Sequence, residues 1–307
     1  MYNFRLASKP DFSIPTITEA FPQPPWDEAY GRIKAFESAT LPEKLKTVDW
    51  CIQHCLPLSV VWGGDWTYVR ARAFDRDDLP QNISELIWPP KNFAKPGRAN
   101  LSGEAIMYLA VREETALSEI RHLDGHAITS YYRIMEPKGF KMIALGELTS
   151  IKRTGRGRFL QEHSDTFTDF LNACDYYEGQ TMLLIDGFLA DVMAHHNVDY
   201  EVTARIVNGL LSRKAEAGAV AYPSVQHLGG MNLAINTDKF WAAWGVAGVS
   251  SAVYEGPGGG IYLPKTRQNV IQIEQNGDLK WGASEPELRK ILEFKVPFQE
   301  DPLSPLR

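Results

Sequence analysis

A chain of 307 residues, 44% of them hydrophobic and 23% charged, holds enough apolar material for one large core or two modest ones, which excludes a wholly disordered protein. A formal net charge of −6 argues against a nucleic-acid binder that works by neutralising phosphates, and three cysteines without framework spacing argue against a disulfide-stapled secreted fold. No apolar run approaches the roughly 18 residues of a membrane span, and the N-terminus lacks the basic-then-apolar order of a signal peptide. The expectation is a soluble, cytoplasmic protein that makes no direct contact with nucleic acid or membrane.

Residues 1 to about 45 carry Pro10, Pro15, Pro22, Pro24 and Pro25 and little periodicity, which predicts an extended Pro-rich arm with Phe4, Ile14, Phe21 and Trp26 as anchors for a neighbouring surface, and hence a homo-oligomer. Leu45, Val48, Ile52 and Cys55 recur at helical spacing and predict a helix over Leu41 to Leu56. Trp66 to Phe74 alternates as a strand, and Ala105 to Ala110 has the length of a buried one. Glu113 to Arg121 reads as a short helix with acids in its first turn. Strands are predicted at His126 to Ile134, Lys141 to Leu145, Ala219 to Tyr222, Met231 to Asn236 and Asn269 to Ile273. Thr181 to His195 and Glu201 to Ala217 read as amphipathic helices, Gly256 to Gly260 as a turn, and Ser284 to Phe294 as a helix opened by Ser284 and Glu287. Strands and helices mix without regular alternation, so the class is α+β, a mixed sheet core with flanking helices. The division expected is an arm over 1–45, a main domain over 46–255 and an extension over 256–307 packed on that domain.

Several groups that invite a functional reading are weak. Cys51 and Cys55, with His54 between them, supply only two thiolates and no second pair follows, so no metal site is expected. His195 and His196 are adjacent and diverge on a helix. Arg153 to Arg158 is a Gly-spaced basic stretch, either an anion grip or a solvated loop. Neither a Gly-x-Gly-x-x-Gly turn between strand and helix nor a P-loop is present, so any NAD is not held as a dehydrogenase holds it.

The informative blocks are Tyr68-Val69-Arg70-Ala71-Arg72, Gly97-Arg98-Ala99-Asn100, Tyr108-Leu109-Ala110, Thr115 to Arg121, Tyr222-Pro223-Ser224-Val225 and Gly229-Gly230-Met231-Asn232. They place ionisable groups beside apolar runs, where such groups need partners or a ligand. In this order, over roughly Trp66 to Asn236, they resemble the RES-domain family, although Arg98-Ala99-Asn100 stands where many members have Arg-Trp-Asn. The resemblance implies an ADP-ribosyltransferase-like fold, NAD as a substrate with no cofactor, and toxin activity. It further implies inorganic phosphate and a helix-turn-helix antitoxin as partners. Carried across, the family Arg falls on Arg70, with Arg72 two residues away as its rival, the Tyr on Tyr108, the Glu on Glu119 and the Ser on Ser224.

On this reading Arg70, Glu119 and Ser224 are catalytic and Arg72, Arg98, Asn100 and Tyr108 bind the nucleotide. Glu119 would stabilise a cation-like ribosyl centre, and Arg70 would grip diphosphate or ribose oxygens through a guanidinium fork. Arg70 and Arg72 on one strand face repel unless an anion or carboxylate lies between them. Tyr108 is either a core tyrosine or a ring stacked on the ligand. Ser224 lacks a nucleophile elbow and is expected to bond the ligand or Arg70, while Asn232 suits a turn. The bland alternative for Glu119 is a surface pair with Arg112 or Arg121. The function expected is cleavage of the nicotinamide N-glycosidic bond of NAD with transfer to phosphate or water. A protein ADP-ribosyltransferase, a non-catalytic nucleotide-binding module and a serine hydrolase remain as alternatives.

Overall fold

The computed structural model describes residues 15–63, 66–74, 79–121, 124–195, 199–258 and 260–286. These fall into two compact units, one of residues 15–56 and 146–188, the other of residues 57–145 and 189–286. The boundaries expected at residues 45 and 255 do not coincide with this division.

The first unit is helical. It contains α1 (Ile17–Ala20), α2 (Trp26–Ala35), α3 (Leu41–His54), α5 (Glu147–Thr154), α6 (Ser164–Ala173) and the start of α7 (Tyr176–Ala194). The Pro-rich stretch is therefore not extended over its described residues. Its prolines sit where a helix tolerates them, Pro25 at an N-cap and Pro42 in the first turn of α3 behind a Thr40 and Glu43 capping box. Phe4 and the rest of residues 1–14 lie outside the described residues. Cys51 and Cys55 are buried, and burial pushes the Cys51 thiol up to about 12, so it stays a thiol.

Arg153 to Arg158 is no free loop. Arg153 lies in the last turn of α5, Glu147 Oε1 accepts N–H bonds from Phe159 (2.7 Å) and Leu160 (2.8 Å), and the Gly157 N–H donates to Ser164 Oγ (2.9 Å). Asp186 of α7 accepts from the Gly146 N–H (3.0 Å) and from the Thr149 N–H and hydroxyl (both 2.9 Å), pinning the start of α5. From Gly179 to Met193 only Asp191 is exposed, so α7 is a helix buried on nearly all sides and not the amphipathic one expected.

The second unit is built on one ten-stranded sheet. Its strands are β1 (Ser59–Trp62), β2 (Tyr68–Ala73), β3 (Ile106–Ala110), β4 (Asp124–Ile134), β5 (Phe140–Ala144), β6 (Ala219–Pro223), β7 (Met231–Asn236), β8 (Trp244–Gly258), β9 (Ile261–Ile273) and β10 (Leu279–Pro286). They lie in the order β1-β5-β6-β7-β3-β2-β4-β8-β9-β10, with only β5 and β6 parallel, and the class is α+β. Residues 284–286 are strand where a helix was expected, and the remainder of that prediction lies outside the described residues. The helices of this unit are α4 (Glu113–Glu119), α8 (Tyr200–Arg213) and α9 (Thr237–Ala243).

The decisive feature is a seam. β3 and β2 share a single registered pair, Val69 with Ala110, whereas β3 pairs with β7 over five positions and β2 with β4 over six. The sheet is thus two halves, an inner one (β1, β5, β6, β7, β3) and an outer one (β2, β4, β8, β9, β10). Val69 and Ala71 of β2 pack with Ala110, Ala116, Leu117, Ala127, Ala252 and Tyr254, so α4 lies over the seam and covers strands of both halves.

Candidate active site

Helix α4 is fastened at both ends, to different halves. At its start Glu113 accepts from Tyr131 (2.6 Å), Tyr254 (2.5 Å) and Arg267 (3.2 Å), all on the outer half. These contacts push the Tyr131 and Tyr254 hydroxyls well up, burial first and the Glu113 charge second. At its end Glu119 Oε1 accepts from Ser224 Oγ and from Asn232 Nδ2, each at 2.6 Å, on the inner half. The helix holds its carboxylate on a rigid bridge because neither end is free to fray.

Glu119 pairs with neither Arg112 nor Arg121, and its second oxygen has no hydrogen-bond partner among the described residues. Ser224 Oγ also accepts the His227 N–H (3.0 Å), while His227 Nδ1 meets Thr115 Oγ1 (2.8 Å) and so is not a base for the serine. The serine thus donates to Glu119 and makes no bond to Arg70, one of the two partners expected for it beside the ligand. Asn232 lies within β7, the strand expected over Met231 to Asn236, and there steers the same carboxylate oxygen instead of ending a turn. Register makes this contact: Asn232 pairs with Ala110 of β3 and Tyr222 of β6, next to the seam.

Around this carboxylate lies a cleft of about 530 Å³ whose lining includes Arg70, Arg72, Arg98, Tyr108, Glu119, Arg121, Tyr200, Tyr222, Gln226 and Asn232. That volume falls in the range of small-molecule sites. An adjoining chamber of about 320 Å³ shares Arg70, Arg72 and Tyr108 and adds Gly97 and Asn100. Arg70 Nη1 donates to the Tyr108 carbonyl (3.2 Å), which faces the seam where a ladder partner is missing. Its buried Nε has no partner among the described residues. Burial, then the nearby Arg72 charge, lowers the Arg70 guanidinium to about 10, so an incoming anion would relieve it. Arg72 is held by the Ile87 carbonyl and not by a carboxylate. Both rival arginines therefore line the cleft, Arg70 the more deeply committed.

The Gly97 to Asn100 loop is built on the Tyr108 hydroxyl, which donates to Asn100 Oδ1 (2.6 Å) and accepts the Ala99 N–H (2.8 Å). Asn100 Nδ2 in turn serves the carbonyls of Lys95 (2.9 Å), Leu101 (2.9 Å) and Glu104 (3.0 Å). Its amide is consumed by the loop, so Asn100 shapes the chamber wall and has no amide proton left for a ligand. Gly97 is obligatory on contact grounds, since a Cβ there would lie 2.8 Å from the Tyr108 hydroxyl. Ala99 is fully buried, and a tryptophan at this position would need a different packing of the loop. Arg98 reaches the cleft with Nη1 donating to the Met193 carbonyl (3.0 Å).

Sequence reasoning missed Tyr200, Tyr222, Arg121 and Gln226 as lining residues, and gave Asn232 no role in the site. Tyr222 was legible as part of the Tyr-Pro-Ser block. Tyr200 and Gln226 carry no local pattern, because only the folding of α8 and the 224–230 loop toward the seam makes them neighbours. Among the described residues no group of three or more His, Cys, Asp or Glu is placed to hold a metal ion, and no helix is long and apolar enough to cross a membrane.

Comparison with the curated proteins finds none that matches this chain. The family model described as the RES domain matches residues 69–248, a span that begins on β2, contains every side chain of the cleft and ends within β8. With more than half of its length so matched, the chain belongs to the RES-domain family, which is associated with NAD-processing enzymes.

Proposed function

We propose that this protein consumes NAD: the bond between nicotinamide nitrogen and ribose C1′ breaks, its electron pair leaves with nicotinamide, and an oxygen of phosphate or water bonds C1′ and gives its proton to solvent. The observation that carries the reading is the divided Glu119 carboxylate. One oxygen is fixed by Ser224 and Asn232 and the other faces a cleft rich in guanidinium groups. A fixed carboxylate beside a developing ribosyl cation acts by charge and by accepting from a ribose hydroxyl. Arg70, with Nε unpartnered, suits diphosphate oxygens, and Tyr108 presents its ring with its hydroxyl already engaged. Two chambers sharing Arg70 and Tyr108 suit a ligand with two large ends.

In this reading Glu119 is the catalytic residue, Ser224 and Asn232 position it, and NAD is a substrate and not a cofactor. A serine hydrolase is disfavoured because the Ser224 hydroxyl is spent on Glu119. Membership of the RES family supports a toxin role in the cytoplasm, opposed by a helix-turn-helix antitoxin. Incubation of the purified protein with NAD, with and without phosphate, and mass analysis of the products tests the reaction. Nicotinamide with phosphorylated or free ADP-ribose is the expected result, and unchanged NAD in both incubations overturns it.

A further inference from the structure

The cleft holds more positive charge than NAD calls for. Four guanidiniums, Arg70, Arg72, Arg98 and Arg121, face one carboxylate, Glu119. The diphosphate of NAD carries two negative charges, and the nicotinamide ring offsets one of them. Three of the four guanidiniums are held in advance by backbone carbonyls, those of Tyr108, Ile87 and Met193.

Arg121 differs from the other three. It follows α4 directly, its N–H bonds the Ser118 carbonyl (2.9 Å), and its backbone is left-handed, with φ 54°. This is the position past a helix end where glycine is the ordinary occupant, and a side chain there is strained. Gln161 is the other described non-glycine residue with positive φ, and it lies outside the cleft. The Arg121 side chain is exposed at the cleft and forms no hydrogen bond or ion pair with the other described residues. This arginine, strained where glycine would be relaxed and without a partner among the described residues, is placed on the cleft wall where an anion could meet it. The bland account is a cation favoured by the helix C-terminus, which a lysine would satisfy equally.

We infer that Arg121 forms the rim of a subsite for a phosphate group additional to the diphosphate. The inference rests on the proposed NAD reaction. The phosphate has two sources of the same chemistry, the 2′-phosphate of the phosphorylated dinucleotide or free inorganic phosphate serving as acceptor.

The test compares the unaltered protein with Arg121→Gly, which keeps the left-handed backbone, and with Arg121→Lys, which keeps the charge. The readouts are kcat/KM for NAD and for its 2′-phosphorylated form, the phosphate concentration giving half-maximal rate, and the melting temperature. If the 2′-phosphate is the ligand, Arg121→Gly lowers the preference for the phosphorylated dinucleotide over NAD roughly tenfold, the scale of one charged hydrogen bond. If the acceptor is the ligand, the half-maximal phosphate concentration rises about tenfold instead. In either case Arg121→Lys recovers only part of the loss, because the fork is gone, and the glycine variant melts no lower than the parent. An unaltered protein that consumes NAD while both variants leave preference and phosphate dependence unmoved overturns the Arg121 subsite alone. An unaltered protein inert to both dinucleotides overturns the subsite together with the reaction.

Discussion

In the inner half of the sheet, β6 and β7 bury every residue but their last, and β5 all but Lys141; in the outer half, β9 leaves Ile261, Leu263, Lys265, Asn269 and Ile271 exposed. The inner strands are short, apolar runs with a parallel pair at their centre, which is how strands covered on both faces read. Beyond β2 the outer strands are long, rich in small and polar residues, and broken by register shifts along β8, β9 and β10. Rigidity and site chemistry are thereby divided. The inner half supplies Tyr108, Asn232 and, just past β6, Ser224, all fixed by a dense core. The outer half supplies Arg70 and Arg72, and α4 carries Glu119 between them.

The largest expected effect breaks the inner half. Leu233 is wholly buried in β7, next to Asn232, and Leu233→Ala should cost about 2–5 kcal/mol by denaturant unfolding, the range for a buried leucine cut to alanine. A loss below about 0.5 kcal/mol, the scale of an ordinary surface change, would show that the inner half is not the rigid partner. Next comes the carboxylate on the bridge. Glu119→Gln keeps shape and most hydrogen bonding but removes charge, so turnover of NAD should fall by roughly 10²-fold or more while the fold stays cooperative. Near-normal consumption by the folded variant would remove Glu119 from the reaction.

The third effect tests the outer half's contribution. Arg70→Lys forfeits both the bond across the seam to Tyr108 and the fork, and should weaken nucleotide binding roughly tenfold. Arg72→Lys should be milder, since its carbonyl partner lies on its own side, at Ile87. The reverse order in calorimetric titrations would make Arg72 the grip. The smallest effect sharpens the contrast with Leu233: Ile271 of β9 is 75% exposed, and Ile271→Lys should change stability by no more than about 0.5 kcal/mol. A cost of several kcal/mol would mean that this strand face is covered.

Legibility cut across this division: β2 and β4 of the outer half read as strands from their own alternation, while β1 of the inner half did not. β3, β5, β6, β7 and α4 announce themselves as apolar runs and a charged first turn, and Glu119, Arg70, Tyr108 and Ser224 were found through motif order. β8 escaped notice because Gly245, Gly248, Ser250 and Ser251 interrupt any alternation, and its pairing to β4 and β9 comes from neighbours, not from its own residues. α2 buries only Ala29 and so shows no stripe, and the prolines before it read as a broken chain when the last of them, Pro25, marks a helix start. What sequence order could not convey is which oxygen of Glu119 is occupied, or that Asn232 is one of the groups occupying it.

The seam between β2 and β3 has a thermodynamic corollary. Any molecule that grips Arg70 and Glu119 together adds a tie across the seam, where β2 and β3 share one registered pair. A ligand bound there binds the folded state alone, so at a hundredfold excess over its Kd it should add about 2.7 kcal/mol of stability. That is worth several degrees of melting temperature for a unit of this size. Heating the protein with a panel of nucleotides would therefore rank its ligands by affinity, whatever chemistry follows.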